Sequence, residues 1–166
     1  MTYRVANVMI LMLTIVVSPV FAFAEKPAES GVYPLSTTVD GKERAGAIYL
    51  PVDFNPKQKY PLIIFLHGSG ERGSDGKHQT TVGLGKAIMD NPERFPCIVY
   101  MPQCPTDDDW SGKDVDGDGT NSHDHIQRGI KQIMKRYSID KNRVSITGLS
   151  MGGRGTFAFG AKYAKQ

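Results

Sequence analysis

Apolar residues occur along this chain as short continuous runs that alternate with segments of helical periodicity. Leu62 to Leu66, Ile98 to Met101 and Arg143 to Thr147 have the length and composition of strands buried in a sheet. A segment with helical spacing of apolar residues follows each run; these segments are Leu84 to Asp90, a helix capped by Asn121 or Ser122 that reaches Tyr137, and Met151 to Tyr163. The alternation predicts an α/β fold with a mostly parallel sheet and helices on both faces.

The region before the first buried run predicts a β-hairpin. Leu35 to Val39 and Ala45 to Leu50 are strand-like segments on either side of Asp40-Gly41-Lys42, which carries the Asp-Gly signal of a tight turn. Residues 25–34 form a polar lead-in that contains proline. We therefore predict that residues 35–166 form the N-terminal part of one domain.

Residues 1–24 have the organisation of a secretory signal peptide. Arg4 precedes an apolar stretch from Val8 to Val17, and Ala22-Phe23-Ala24 forms a small-x-small cleavage site. Ser18-Pro19 interrupts the apolar stretch, which is shorter than the roughly 18 residues of a membrane span. The segment predicts a secreted or periplasmic protein, with an uncleaved anchor as the alternative.

Overall charge argues against two classes of partner. The chain has 20 Lys and Arg against 17 Asp and Glu, a formal net charge of +3. A balance this close to neutral does not predict binding to nucleic acid or to an anionic membrane surface. We therefore expect no nucleic-acid partner, and no membrane contact beyond export.

Two cysteines would enter an oxidising compartment, so a disulfide has to be considered. A predicted buried strand lies between Cys97 and Cys104. An extended segment of that length spans about 20 Å, whereas a disulfide needs Cα atoms within about 7 Å. We predict two unpaired, mostly buried thiols, unless one pairs with a residue outside this chain.

One pentapeptide predicts a nucleophile. Gly148-Leu149-Ser150-Met151-Gly152 has the pattern G-x-S-x-G, with a buried strand before it and a helix after it. A tight strand-to-helix turn of this kind projects the serine above the sheet. Gly148 and Gly152 lack side chains that would collide where strand and helix pass closely. Ser150 is therefore the predicted catalytic residue.

A second glycine-rich corner follows another buried strand. The segment His67-Gly68-Ser69-Gly70 comes directly after Leu66, and the carboxyl ends of parallel strands share one edge of the sheet. Backbone N–H groups at this corner could stabilise an oxyanion. The predicted donors are the amides of Ser69 and Met151, with Gly70 as the alternate. For His67 we favour a hydrogen-bonded side chain that holds the loop over a catalytic base.

Three motifs in this order resemble the α/β-hydrolase superfamily. They are a strand followed by H-G-S-G-E-R-G, then M-P-Q-C-P with Trp110 downstream, then R-V-S-I-T-G-L-S-M-G-G. The chain looks most like secreted phospholipase/carboxylesterase-type enzymes and feruloyl or acetylxylan esterases, some of them labelled predicted peptidases. The resemblance implies an α/β-hydrolase fold and cleavage of carboxylic esters through an acyl-enzyme. The substrate would be a small-molecule or polysaccharide-linked ester, and no cofactor is required.

The chain departs from the superfamily pattern after the nucleophile. The resemblance implies an acid and then a histidine on the C-terminal side of Ser150, but residues 151–166 contain no Asp, Glu or His. We interpret the chain as an N-terminal fragment truncated after the nucleophile helix. We expect it to expose the nucleophile strand as a sheet edge, to express poorly and to show no esterase turnover. The alternatives are a secreted peptidase of the same fold and a non-catalytic binding relative.

Other polar and aromatic residues have two interpretations each. Trp110 is either a wall of the substrate pocket or an anchor that holds its loop on the core. Glu71 and Arg72 are expected to form a structural ion pair or to be solvated loop charges. His123 and His125 flank Asp124, but ligands this close at a helix start diverge, so we do not predict zinc.

An acidic segment resembles the start of a calcium loop. Asp114, Asp116 and Asp118 alternate, and Gly119 follows them. His125 stands where the pattern requires a bidentate Glu. A structural calcium ion is therefore one interpretation, and a solvated acidic turn is the favoured one.

Overall fold

A five-stranded mixed sheet organises residues 29–39, 41–113 and 122–164, the part of the chain that this computed structural model describes. The strands are β1 (Gly31–Pro34), β2 (Thr37–Val39), β3 (Lys42–Arg44), β4 (Gly46–Leu50), β5 (Tyr60–Leu66), β6 (Ile98–Pro102) and β7 (Ile139–Gly148). The helices are α1 (Gly83–Asp90), α2 (Ser122–Arg136) and α3 (Met151–Tyr163).

The order of the main sheet is β1-β4-β6-β5-β7. The three runs predicted as buried strands form β6, β5 and β7, and these strands pair in parallel. The prediction of burial is wrong for β7, whose residues are mostly exposed because the strand has a partner on one side only among the described residues. β4 and β1 extend the sheet in antiparallel orientation. The predicted α/β class is confirmed, and parallel pairing brings the carboxyl ends of β5 and β7 to the same edge.

Helices cover both faces of the sheet. Ile126 and Ile133 of α2 and Phe159 of α3 belong to one buried cluster. Ile88 of α1 packs in a second cluster with Phe65 of β5. All three predicted helices are present within one or two residues of their predicted limits. Burial of their apolar stripes on the two faces of one sheet is what the helical spacing in the sequence predicted.

The N-terminal hairpin differs from the prediction. The turn next to Gly41 joins the short strands β2 and β3, which form a separate two-stranded sheet. β4 pairs with β1 and β6 instead, and its side chains alternate between the two core clusters on opposite faces of the main sheet. β1 also lies within residues 25–34, which the sequence predicted as a lead-in.

Cys97 and Cys104 are buried free thiols. Their side chains flank β6, with Cys97 just before it and Cys104 two residues after it. Burial raises the pKa of both thiols. The strand that the sequence predicted between them is present.

β7 is an edge strand among the described residues, since it pairs there only with β5. β7 is ten residues long, and most of its residues are exposed. Apolar side chains are exposed in this strand and directly after it: Val144 is 36 % exposed and Leu149 is 44 % exposed. Unpaired backbone groups next to exposed apolar side chains favour pairing with another chain.

No helix in residues 29–39, 41–113 or 122–164 is long and apolar enough to cross a membrane. The predicted signal peptide, residues 1–24, lies outside the described residues.

A charge on the exposed edge is expected to reduce self-association of this chain. Thr147 is exposed on β7, so Thr147→Lys places an ammonium group where a second strand would pair. Sedimentation velocity over a concentration series should show less association than for the unmodified chain. Thr38→Lys makes the same change on β2 and should have no effect. Equal association in the Thr147 and Thr38 variants would show that β7 is not responsible.

Candidate active site

Ser150 lies in a strained turn between β7 and α3. Its backbone has φ 51° and ψ −111°, a conformation that residues with a side chain rarely adopt. Such a conformation costs about 1–3 kcal/mol and persists only where the surrounding structure enforces it. Ser150 is exposed, although β7 before it is a strand of the main sheet and α3 after it packs on β5 and β7. The strand-to-helix turn predicted from the sequence is therefore present.

Two glycines allow this turn to form. A Cβ atom at Gly152 would overlap the carbonyl oxygen of Leu66, at the end of β5, and one at Gly148 would overlap the backbone of Gly152. The Leu149 N–H donates to the same Leu66 carbonyl at 2.9 Å. The first turn of α3 therefore rests directly on the backbone of β5.

The second corner lies beside Ser150. Residues Ser69–Glu71 form a 3₁₀ turn after Gly68. A Cβ atom at Gly68 would lie 3.7 Å from the Ser150 Cβ. Ser69 and Met151 are each the first residue of a helical turn, where an N–H group has no acceptor within the helix. The structure thus brings the predicted donor segments to the serine, with Gly70 in the same turn.

His67 is fully buried, and both of its ring nitrogens contact the backbone. Nε2 accepts a hydrogen bond from Cys104 N–H at 2.9 Å, so Nδ1 carries the proton and donates to the Gly68 carbonyl at 2.6 Å. Burial lowers its pKa and so favours the neutral ring. This arrangement agrees with the loop-holding role and leaves no nitrogen for a base.

Trp110 serves as an anchor and also lines a cavity. Its indole is 1 % exposed and donates from Nε1 to the His67 carbonyl at 2.9 Å. A Cβ atom at Gly155 would overlap the Trp110 side chain, so α3 approaches the indole closely. Trp110 and Met151 also line a cavity of about 180 Å³ on the flank of α3. The two interpretations of Trp110 are therefore compatible.

Sequence reasoning missed the role of Gln103. Its amide is 1 % exposed, and Oε1 accepts from Gly76 N–H at 2.7 Å. Nε2 donates to the Glu71 carbonyl at 3.1 Å and to Asp75 Oδ1 at 2.9 Å. Gln103 thus ties the loop that follows the 3₁₀ turn to the end of β6. A polar residue directly after a buried strand, in M-P-Q-C-P, was the available signal.

Arg72 is exposed, as expected of a solvated loop charge, whereas Glu71 differs from the prediction. Arg72 donates to the carbonyls of Ser69 and Asp108, at 3.1 and 3.5 Å. Glu71 Oε2 is buried without a hydrogen-bond partner and lies 3.1 Å from the position of a Cβ atom on Gly68. The side chain of Glu71 folds back over Gly68, so it is neither paired with Arg72 nor fully solvated.

His123 and His125 are buried in the core, and their rings contact different groups. His123 Nε2 lies 3.1 Å from the Trp110 carbonyl. His125 packs its ring edge-on against Tyr100, and burial lowers its pKa to about 3. Within the described ranges no group of three or more metal-ligating side chains is present. The predicted calcium ligands Asp114, Asp116 and Asp118 lie outside those ranges.

The sheet, its flanking helices and the serine corner define the α/β-hydrolase fold. Residues 36–166 match the family model Esterase, described as "Putative esterase". The chain therefore belongs to this esterase family.

Three comparisons illustrate this membership. A bifunctional acetylxylan esterase/xylanase from Neocallimastix patriciarum is 31% identical over 126 residues, which is 73% of this chain and 17% of that protein. The solved structure of a thermostable esterase is 36% identical with a TM-score of 0.66, and covers 81% of this chain and 38% of its own. A ferulic acid esterase shares the fold, with 22% identity, a TM-score of 0.62, and coverage of 83% and 57%. The chain thus spans less than two thirds of each relative.

Replacing Gln103 by Leu is expected to loosen the loop that follows the 3₁₀ turn. The change removes three part-buried side-chain hydrogen bonds, and a hydrogen bond of this kind contributes about 0.5–1.5 kcal/mol. Hydrogen exchange should rise at residues 71–76, and urea unfolding should show reduced stability.

Gln79→Leu is the matched control, because Gln79 is equally buried but makes one hydrogen bond, to the Met101 carbonyl. It should cost less stability and leave exchange at residues 71–76 unchanged. Equal effects of the two variants would contradict the role assigned to Gln103.

Proposed function

We propose that this chain carries the nucleophile and the oxyanion donors of a serine hydrolase that cleaves carboxylic esters through an acyl-enzyme. The observation that carries the proposal is the strained backbone of Ser150 beside the turn at residues 68–70. Esterase family membership supports the same reaction class. A strained, exposed serine next to free N–H groups is the arrangement that acyl transfer requires.

In this mechanism Ser150 Oγ attacks the carbonyl carbon of the ester. The carbonyl oxygen gains negative charge, and the amides of Ser69 and Met151 stabilise it, each donor contributing about 2.7–4 kcal/mol. The C–O bond to the alcohol then breaks, and the acyl group stays on Ser150 until water releases it. Gly70 is the alternate donor at the first corner.

The proton acceptor is proposed to lie outside the described residues. Both nitrogens of His67 contact the backbone, and His123 and His125 are buried in the core. None of these three rings is available to take the proton of Ser150, and the fourth histidine, His78, is exposed on the 3₁₀ turn His78–Thr81, where its ring makes no hydrogen bond to Ser150 within the described residues. A histidine oriented by an acid would take it during attack and return it to the leaving alcohol.

The proposed substrate is an ester linked to a small molecule or a polysaccharide. Two relatives are an acetylxylan esterase/xylanase and a ferulic acid esterase, which supports polysaccharide-linked esters as the first class to test. Export through residues 1–24 is part of the same proposal, since such polymers lie outside cells. The chemistry requires no cofactor, and calcium at Asp114, Asp116 and Asp118 would be structural.

Labelling with a fluorophosphonate tests the nucleophile. We expect slow phosphonylation of Ser150, located by mass spectrometry, because the N–H donors beside the serine are present whereas the base that would accelerate attack lies outside the described residues. Ser150→Ala should abolish labelling, and Ser145→Ala, a control on exposed β7, should preserve it. We expect no turnover of p-nitrophenyl acetate, because no histidine among the described residues makes a hydrogen bond to Ser150 through which it could activate water for deacylation.

Absence of labelling at Ser150 would favour the non-catalytic binding relative. Brisk ester turnover that disappears in Ser150→Ala would instead place the base within this chain and contradict the proposed division of the site.

A further inference from the structure

Two side chains hold the carbonyl groups at the start of the 3₁₀ turn Ser69–Glu71. In a trans peptide unit the C=O and N–H bonds point in opposite directions. A side chain that binds the carbonyl of one residue therefore also sets the direction of the N–H group of the next residue. Hydrogen bonds to the carbonyls of Gly68 and Ser69 thus determine where the N–H groups of Ser69 and Gly70 point.

His67 holds the first of these peptide units. Its Nδ1 donates to the Gly68 carbonyl at 2.6 Å, and the ring lies buried in the core. The Ser69 N–H consequently points away from the core. That is the side on which Ser69 and Ser150 are both exposed.

Arg72 holds the second peptide unit. Its Nε donates to the Ser69 carbonyl at 3.1 Å, which directs the Gly70 N–H away from the guanidinium. The same guanidinium donates from Nη1 to the Asp108 carbonyl at 3.5 Å. Asp108 is 5 % exposed, and its side chain accepts a backbone N–H at 2.6 Å, so this part of the loop is fixed. Arg72 therefore ties the turn to the loop that follows β6.

We propose that Arg72 is a positioning residue for ester hydrolysis at Ser150. It acts through the Ser69 carbonyl and keeps the N–H donors of the turn directed at the developing oxyanion. Donors that are held in place before the reaction stabilise that charge most effectively. The inference rests on the proposed function, because an oxyanion forms only if Ser150 attacks an ester.

Two simpler roles for Arg72 predict different behaviour. A role in stability alone would be small, since an exposed charged side chain contributes little to the free energy of unfolding. A role of the positive charge alone would be preserved by lysine. Lysine keeps the charge, but it lacks the planar fork of donors that binds two carbonyls at fixed angles.

The rate constant and the amplitude of fluorophosphonate labelling at Ser150 separate these roles. We expect Arg72→Met to lower the rate constant at saturating probe by about tenfold, less than the roughly 10²–10³-fold loss when an oxyanion donor is removed. The final amplitude should not change, and Arg72→Lys should also be slow. A lower amplitude with an unchanged rate constant would assign Arg72 to stability, and a full rate in Arg72→Lys would assign it to charge. Either result would overturn the inference.

Arg154→Met is the matched control. Arg154 is exposed in the first turn of α3, and its side chain donates no hydrogen bond within the described residues. Its replacement removes the same charge close to Ser150 and should leave the rate constant unchanged. Equal slowing in the Arg72 and Arg154 variants would indicate a general effect of charge and would contradict the assignment.

Labelling of the unmodified chain separates this inference from the proposed function. If Ser150 is not labelled in that chain, the proposed function is contradicted, and the inference with it. If Ser150 is labelled there at the same rate as in Arg72→Met, only the inference is contradicted.

Discussion

The carbonyl of Leu66, at the end of β5, receives the Leu149 N–H and lies against the Cα of Gly152. This backbone contact holds the first turn of α3 on the sheet and leaves Ser150 with a positive φ. Because the Gly68 corner continues from the same strand, the contact also sets how close the two corners are. Strain at Ser150 costs about 1–3 kcal/mol, and packing of α3 against β5 and β7 offsets it.

Buried polar side chains hold the loops around this contact. His67 connects its own corner to Cys104, Trp110 donates back to His67, and Gln103 ties down the following loop. Each polar group is buried with hydrogen-bond partners, so its desolvation is largely compensated. A loop carrying oxyanion donors benefits from such fixation, since donors that need not reorganise during reaction stabilise developing charge most effectively.

Sequence patterns predicted the strands, helices and turns that are determined by residues close together in the chain. Continuous apolar runs identified β5 and β6, the strand-length segment before the serine pentapeptide identified β7, and helical spacing identified α3 to within its observed limits. Ser150 could be found because its glycines and flanking elements are adjacent in sequence. Strand partnership of β4 could not, because it depends on burial by β6, about fifty residues away. The inward fold of Glu71 and the reach of Gln103 depend on side-chain geometry that no spacing encodes.

Denaturant unfolding of two alanine variants tests the central claim that the Gly152–Leu66 contact positions the site. Gly152→Ala would force a Cβ atom into the Leu66 carbonyl, whereas a Cβ atom at Gly153 meets only the Gly148 carbonyl at 3.6 Å, an ordinary contact. We expect Gly152→Ala to lower the free energy of unfolding by about 1–3 kcal/mol or more, and Gly153→Ala to raise it by about 0.5–1 kcal/mol through helix propensity. Equal stability of the two variants would contradict the claim.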